Sequence, residues 1–183
     1  GRAMMYTAQY SSPVGQLTLA SDGKGLTGLW LEGQKYFGDT LPEDAAPGDV
    51  PVLRQARQWL ERYFAGDRPD LRDFPLRPAG SPFRQAVWEI LKQIPYGQVT
   101  TYGAIAREAA AKLGRDSMSS QAVGGAVGHN PLSILIPCHR VVGTGGSLTG
   151  YAGGIDKKIF LLSHEGVDVG RFSLPKHRQK ARR

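Results

Sequence analysis

The sequence predicts a mixed α/β (α+β) fold in two parts: an antiparallel sheet with a helix, then a helical region that carries a late strand. Three observations support this. Apolar and polar residues alternate around glycine turns over residues 6–33, which is strand periodicity. Helical spacing takes over near residue 52 and returns in short segments after residue 81. Between these regimes lies a Pro-rich stretch, "DRPDLRDFPLRPAGSP", the candidate linker.

In the N-terminal part, "YTAQYSSPVGQLTLASDGKGLTGLWLEG" sets a Ser-Pro and an Asp-Gly turn between strand-like runs such as Gln16–Leu19 and Leu26–Trp30. A meander of about three strands is the economical arrangement. Residues 39–51, "DTLPEDAAPGDVP", are acidic and Pro-rich and are expected to form a loop. "VLRQARQWLERYFAG" then places Leu53, Ala56, Leu60 and Phe64 at helical spacing, with Gly66 as the stop.

The C-terminal part opens with Ser81 as N-cap and Pro82 at the first helical position. "FRQAVWEILKQI" gives Phe83, Val87, Ile90, Leu91 and Ile94 one apolar face. Thr101 caps a second helix that includes Ala104 to Ala111, and a third is expected from Ser119 or Ser120 to Val127, ended by glycine and Asn-Pro. Ile134-Leu135-Ile136 reads as a strand, and Lys157 to His164 as a further helical segment. Short helices in succession ahead of a strand have the pattern of a helix-turn-helix with a β-wing. The third helix holds two central glycines, each costing a helix about 1 kcal/mol against alanine. Close internal packing accounts for them, and so does a surface that must approach another molecule's backbone, as in a minor groove about 6 Å wide. The sequence favours neither.

At 183 residues, 40% apolar and 21% charged, the composition is that of a globular chain with one domain or two small ones. No run of about 18 apolar residues occurs, so no membrane partner is expected. There is no signal-peptide pattern, and a cytoplasmic protein, monomeric in solution, is the expectation. Residues 1–4 read as an appended scar before a start at Met4 or Met5. The formal charge is +7, unevenly spread: residues 1–80 hold 9 Lys/Arg against 10 Asp/Glu, residues 81–183 hold 14 against 6. That asymmetry points to a polyanion partner for the second half. Six of the 14 lie in the tail 171–183, which reads as a solvated end that can add sequence-independent attraction to phosphates.

The chain has one cysteine, in "ILIPCHRVVG". It forms no internal disulfide and allows no multi-cysteine zinc site, so no metal is expected. A lone cysteine is most often a small buried hydrophobe. Against that, Pro137 fixes the backbone before Cys138, and His139 and Arg140 follow directly. The thiolate is the nucleophile, and an adjacent base oriented by a third group is the general way to produce it. Glu165 in "LLSHEG" is an available carboxylate.

"NPLSILIPCHRVVGTGG", then "TGYAGG" and "LLSHEG", resemble the O6-alkylguanine-DNA alkyltransferase family, the methylated-DNA–protein-cysteine methyltransferases. "PCHRV" is the signature core, made specific by the upstream Asn-Pro and the downstream Tyr-x-Gly-Gly. The match spans roughly Ser81 to Gly166, with looser agreement before it. The resemblance implies a ribonuclease-H-like N-terminal domain (residues 5–77), a linker (78–82), a winged helix-turn-helix alkyltransferase domain (83–170) and the basic tail (171–183). It implies a suicide repair protein that binds double-stranded DNA in the minor groove and flips an O6-alkylguanine out of the stack. Cys138 then takes the alkyl group permanently. No cofactor is implied, because the thiolate is both nucleophile and acceptor.

By the same resemblance His139 is the base, acting through a water, since neighbours on a strand point to opposite faces. Glu165 orients it, and Asn130 ties the turn to the surroundings of the cysteine. Tyr102 donates to the flipped base, Tyr151 and Ala152 line the pocket near O6, and the backbone at Cys138 and Val141 receives the exocyclic amine. Gln121, Ala122, Gly125 and Ala126 are the DNA-contacting positions of the third helix. Two departures stand out. Gln121 occupies the place of the arginine that fills the gap left by the flipped base, and Ala152 replaces a serine found in some members. "AKLGRDSMSS" also lengthens the connection before the third helix. The rival readings are a non-enzymatic alkyltransferase-like lesion binder, a cysteine hydrolase and a plain transcription factor. The first lacks the reactive cysteine, the second needs turnover, and the third needs no buried thiol.

Overall fold

The computed structural model describes residues 4–174. Residues 1–3 of the expected scar (residues 1–4) and the basic tail from residue 175 onward lie outside the described residues. The chain divides into two compact units, one running up to Gly80 and including Pro131–Leu135, the other made of Ser81–Asn130 and the chain from Ile136 onward.

The first unit is a four-stranded sheet. Strands β1 (Tyr6–Ser12), β2 (Gly15–Ser21) and β3 (Leu26–Leu31) form the expected meander, joined by antiparallel pairing, and β4 (Ala46–Pro47) runs parallel to β1 at the edge. β4 lies inside the stretch expected to be a loop; only two residues pair there, too few to leave a period-2 signal. Leu17, Leu19, Leu29 and Leu31 are fully buried, each contributing about 1.5–3 kcal/mol of apolar burial. Helix α1 (Pro51–Phe64) covers this sheet with Leu53, Ala56 and Leu60 inward, and Gly66, at φ +97°, turns the chain away after it. Tyr63 rather than Phe64 completes the buried face.

Ile134-Leu135-Ile136 is not a strand. Ile134 sits at φ +72°, and Leu135 N–H donates to Ser133 O at 2.9 Å, so the segment turns. Its apolar composition reflects burial, at 1–2% exposure, not extension. The segment Pro131–Leu135 is secured within the first unit, where Leu29 N–H donates to Pro131 O and Ser133 N–H to Leu29 O.

The second unit holds the three short helices. Helices α2 (Pro82–Lys92), α3 (Tyr102–Lys112) and α4 (Ser120–Gly128) each start at a hydroxyl cap: Ser81 accepts from Arg84 N–H, Thr101 from Ala104 N–H and Ser119 from Ala122 N–H. Such caps satisfy helix-end donors and are worth about 1 kcal/mol each. Trp88, absent from the expected apolar face of α2, is 2% exposed and its indole N–H donates to Ala126 O at 2.9 Å, pinning α4 to α2. The β-structure here is a two-residue parallel pair, β5 (Thr100–Thr101) beside β6 (Val141–Val142). Helix α5 (Ile155–His164) closes the unit, with Leu162 packed against Val142, Leu148 and Val167. None of the described helices is long and apolar enough to cross a membrane.

Candidate active site

The site is built around a tight double turn. Pro137, at φ −80° and ψ +66°, is the centre of an inverse γ-turn in which Cys138 N–H donates to Ile136 O at 2.7 Å. Cys138, His139 and Arg140 follow as one turn of 3-10 helix, all buried. The strand expected here is therefore absent, and with it the up-and-down alternation of Cys138 and His139. In a 3-10 turn successive side chains diverge by about 120°, which also keeps neighbours from meeting directly.

One side chain anchors the thiol. Asn130, placed by the end of α4 and 1% exposed, donates from Nδ2 to Ile136 O at 2.8 Å and to Cys138 Sγ at 3.2 Å. Burial pushes the Cys138 thiol up, while the Asn130 hydrogen bond and the charge of Lys158 pull it back only in part. At rest the group is a thiol and needs a base.

The candidate base, His139, is held by Glu165, which caps the C-terminus of α5. Its carboxylate accepts from His139 Nε2 at 2.7 Å, from Arg140 Nε at 2.8 Å and Nη2 at 3.0 Å, and from Gly97 N–H at 3.1 Å. Burial raises its pKa, but the bonds from His139 and Arg140 outweigh burial and leave it well below the usual carboxylate range. An ionised carboxylate only accepts, so Nε2 of His139 carries the proton. Burial lowers the pKa of His139 more than Glu165 raises it, so the ring is neutral. Its Nδ1 then holds a lone pair, and Nδ1 has no hydrogen-bond partner among the described residues. Arg140 also donates from Nη1 to Ile94 O at 2.7 Å, locking the group on both sides.

The parallel pairing of Thr100 with Val141 and of Thr101 with Val142 sets the start of α3 beside the cysteine turn. Tyr102, the first residue of α3, donates to Thr149 O at 3.3 Å. Burial, and then the charge of Cys138, pushes its phenol up to about 12, so it is a donor at neutral pH. Gly150, at φ +77°, lets Tyr102 sit there: a Cβ at this position would lie 2.8 Å from the phenol oxygen. Tyr151 presents its ring nearly perpendicular to His139, centroids 6.5 Å apart, and Ala152 follows it, half-buried.

Lys158 was not singled out by the sequence. It is fully buried on α5, donates from Nζ to Val141 O and to Thr149 O, and burial lowers it to about 8. Its signal was a lysine on the buried stripe of a helix, three residues before Leu161 and four before Leu162. It engages the Val141 carbonyl expected to receive a substrate amine, though a carbonyl keeps a second lone pair. Among the described residues no group of three or more His, Cys, Asp or Glu could hold a metal.

On α4, Gln121, Ala122 and Gly125 are exposed. Ala126 is buried instead, at 2% exposure, and its carbonyl receives the Trp88 indole. A Cβ on Gly124, Gly125 or Gly128 would meet nothing within 4 Å. Close packing inside the described fold therefore does not explain these glycines.

Residues 82–167 match the family model of the 6-O-methylguanine DNA methyltransferase DNA-binding domain, and residues 5–78 match that of its ribonuclease-like domain. The chain is 40% identical to the methylated-DNA–protein-cysteine methyltransferase of Haemophilus influenzae, over 89% of this chain and 87% of that one. It is 42% identical to the protein of the same name from Methanosarcina acetivorans, over 88% and 99%. The Mycobacterium tuberculosis OGT crystallised in complex with DNA superposes with a TM-score of 0.75 at 39% identity, covering 93% of this chain and 95% of that one. The two domains thus have the α/β architecture expected of them, and the chain belongs to the 6-O-methylguanine DNA methyltransferase family.

Proposed function

We propose that this protein repairs DNA by direct reversal, moving the alkyl group of an O6-alkylguanine in duplex DNA irreversibly to Cys138. The observation that carries the reading is the buried set in which Glu165 fixes the tautomer of His139 within one turn of the chain's only cysteine. His139 Nδ1 takes the thiol proton through a bridging water. The thiolate sulfur attacks the alkyl carbon, forming a C–S bond as the C–O6 bond breaks and its electron pair passes to guanine. Tyr102 donates toward the flipped base as that charge grows. Asn130 holds the sulfur in place, while Tyr151, Ala152 and the backbone at Cys138 and Val141 bound the base pocket. Thioether formation consumes the nucleophile, so each molecule acts once and needs no cofactor.

The glycine face of α4 approaches the minor groove, with Gln121, Ala122 and Gly125 as its contacts. Damaged double-stranded DNA is the partner and the cytoplasm the compartment, with the chain acting as a monomer. Residues 5–77 and 83–170 are the corresponding domains, joined at 78–82. The test is intact-mass analysis after incubation with a duplex carrying O6-methylguanine. One methyl group per chain, located on Cys138 and absent from Cys138→Ser, is expected. Repeated turnover, or uptake by Cys138→Ser, would overturn the reading.

A further inference from the structure

Positive charge is sparse on the helix that the proposed function places against DNA. No residue of α4 is charged, and Gln121 stands where the family's arginine would. Two guanidinium groups reach the same place from outside that helix. Arg107 of α3 and Arg115 of the α3–α4 connection line one cleft of about 420 Å³, together with Ser117, Met118 and Ser120 at the head of α4. Both arginines are exposed, and neither guanidinium has an ion-pair or hydrogen-bond partner among the described residues. Arg54, Arg77 and Arg140, by contrast, each grip a carboxylate.

Their positions are built rather than incidental. Gly114, at φ +66°, reverses the chain after α3, and Arg115 N–H donates to Ala110 O at 2.9 Å while Gly114 N–H donates to Ala111 O at 3.3 Å. This is a Schellman closure, which fixes where Arg115 leaves the helix. Arg107 folds back along α3: its Nη1 lies 3.6 Å from the Cβ that a side chain at Gly103 would have. A helix N-terminus carries partial positive charge and repels a cation, and α3 has no acidic residue in its first turn. No attraction within the described fold accounts for a guanidinium there. Asp116 is the only carboxylate lining the cleft.

We infer that Arg107 and Arg115 form a seat for a backbone phosphate of the bound DNA. The lengthened connection thereby supplies, from beside the reading helix, the charge that Gln121 does not. The inference rests on the proposed DNA-repair reading. Its test is the salt dependence of duplex binding, followed by fluorescence anisotropy, for wild type, Arg107→Gln/Arg115→Gln, Arg107→Lys/Arg115→Lys and the control Arg54→Gln. Each phosphate contact contributes about 0.9 to the slope of log affinity against log salt. The double glutamine variant is expected to lose about 0.9 of that slope and to bind about eightfold more weakly at roughly 0.1 M salt. The lysine variant keeps the slope, since an ammonium also neutralises a phosphate, and Arg54→Gln keeps it because Arg54 is already paired with Asp49. An unchanged slope in the double glutamine variant, or an equal loss in Arg54→Gln, overturns the seat. Methyl uptake by wild type is scored separately: binding without uptake sinks the repair reading while the slopes still judge the seat. A wild type that does not bind duplex at all overturns both.

Discussion

Replacing Glu165 by glutamine removes one charge from the most connected side chain of the site. The carboxylate accepts four hydrogen bonds and is 4% exposed. The amide is nearly isosteric, so the substitution tests charge rather than shape. It leaves the guanidinium of Arg140, itself 9% exposed, without its counter-ion. Breaking a buried pair by neutralising one partner costs about 3–5 kcal/mol, and two of the four donors would now face an amide NH2, which donates and cannot accept. We expect Glu165→Gln to be destabilised at pH 7 by about that amount, and to lose the fixed tautomer of His139. General-base contributions run to about 10²–10⁴ in rate, so methyl uptake should slow by at least tenfold even in the fraction that stays folded.

The pH dependence separates this from a packing defect. The folded-state pKa of Glu165 is depressed, so its contribution is present above the unfolded value, about 4.3, and is lost as pH falls toward the folded one. The stability gap between wild type and variant, read from thermal melts, should therefore be constant near neutrality and shrink below about pH 4. A gap under 1 kcal/mol at pH 7, or one that does not narrow in acid, would refute the assignment of Glu165 as the ionised anchor.

Two further outcomes follow from the geometry. Lys158→Met should slow alkylation of Cys138, because the buried ammonium favours the thiolate. The folded-state pKa of Lys158 is lowered to about 8, so its unfolded form binds more protons above that pH. Lysine thus adds a rise in stability between about pH 8 and 10.4, which melts of the methionine variant should lack; equal profiles would remove Lys158 from the site. Gln121→Arg should speed repair of a lesion within duplex DNA while leaving the reaction with free O6-benzylguanine unchanged. An equal response of the two substrates would show that position 121 plays no part in capturing the base.

The proposed catalytic set was legible because its members are rare or oddly placed. A single cysteine wedged between proline and histidine, and a glutamate closing an apolar helix, survive any error in secondary structure. The strand assigned to Ile134–Ile136 failed because short apolar runs report burial, and burial does not distinguish an extended chain from a turn. The burial of Ala126 has a related cause: motif position places it beside exposed Gly125, but a helix turns about 100° per residue and carries it to the inner face. Trp88 and Lys158 went unnoticed because each makes its key bond to a backbone carbonyl distant in sequence, Ala126 and Val141 respectively. Backbone partners of that kind leave no trace in residue identity. The Arg107–Arg115 cleft is of the same sort, since only the closure at Gly114 sets the second arginine near the first.

Burial of Cys138 looks at first like a handicap for a nucleophile, because it favours the thiol. For a group that can be spent once, that bias has a use. A standing thiolate would be consumed by any soft electrophile that reached it, whereas a buried thiol reacts only when a base and a positioned carbon are both present. The site keeps the base ready and the sulfur quiet by the same means. Burial holds His139 neutral and Glu165 fixes its tautomer with Nδ1 open to accept, while desolvation holds the proton on sulfur until displacement can follow its removal. Selectivity for the damaged base then resides less in the reactivity of sulfur than in what can be brought to it. That puts the burden on α4, where Gln121 stands, and on the proposed phosphate seat beside it.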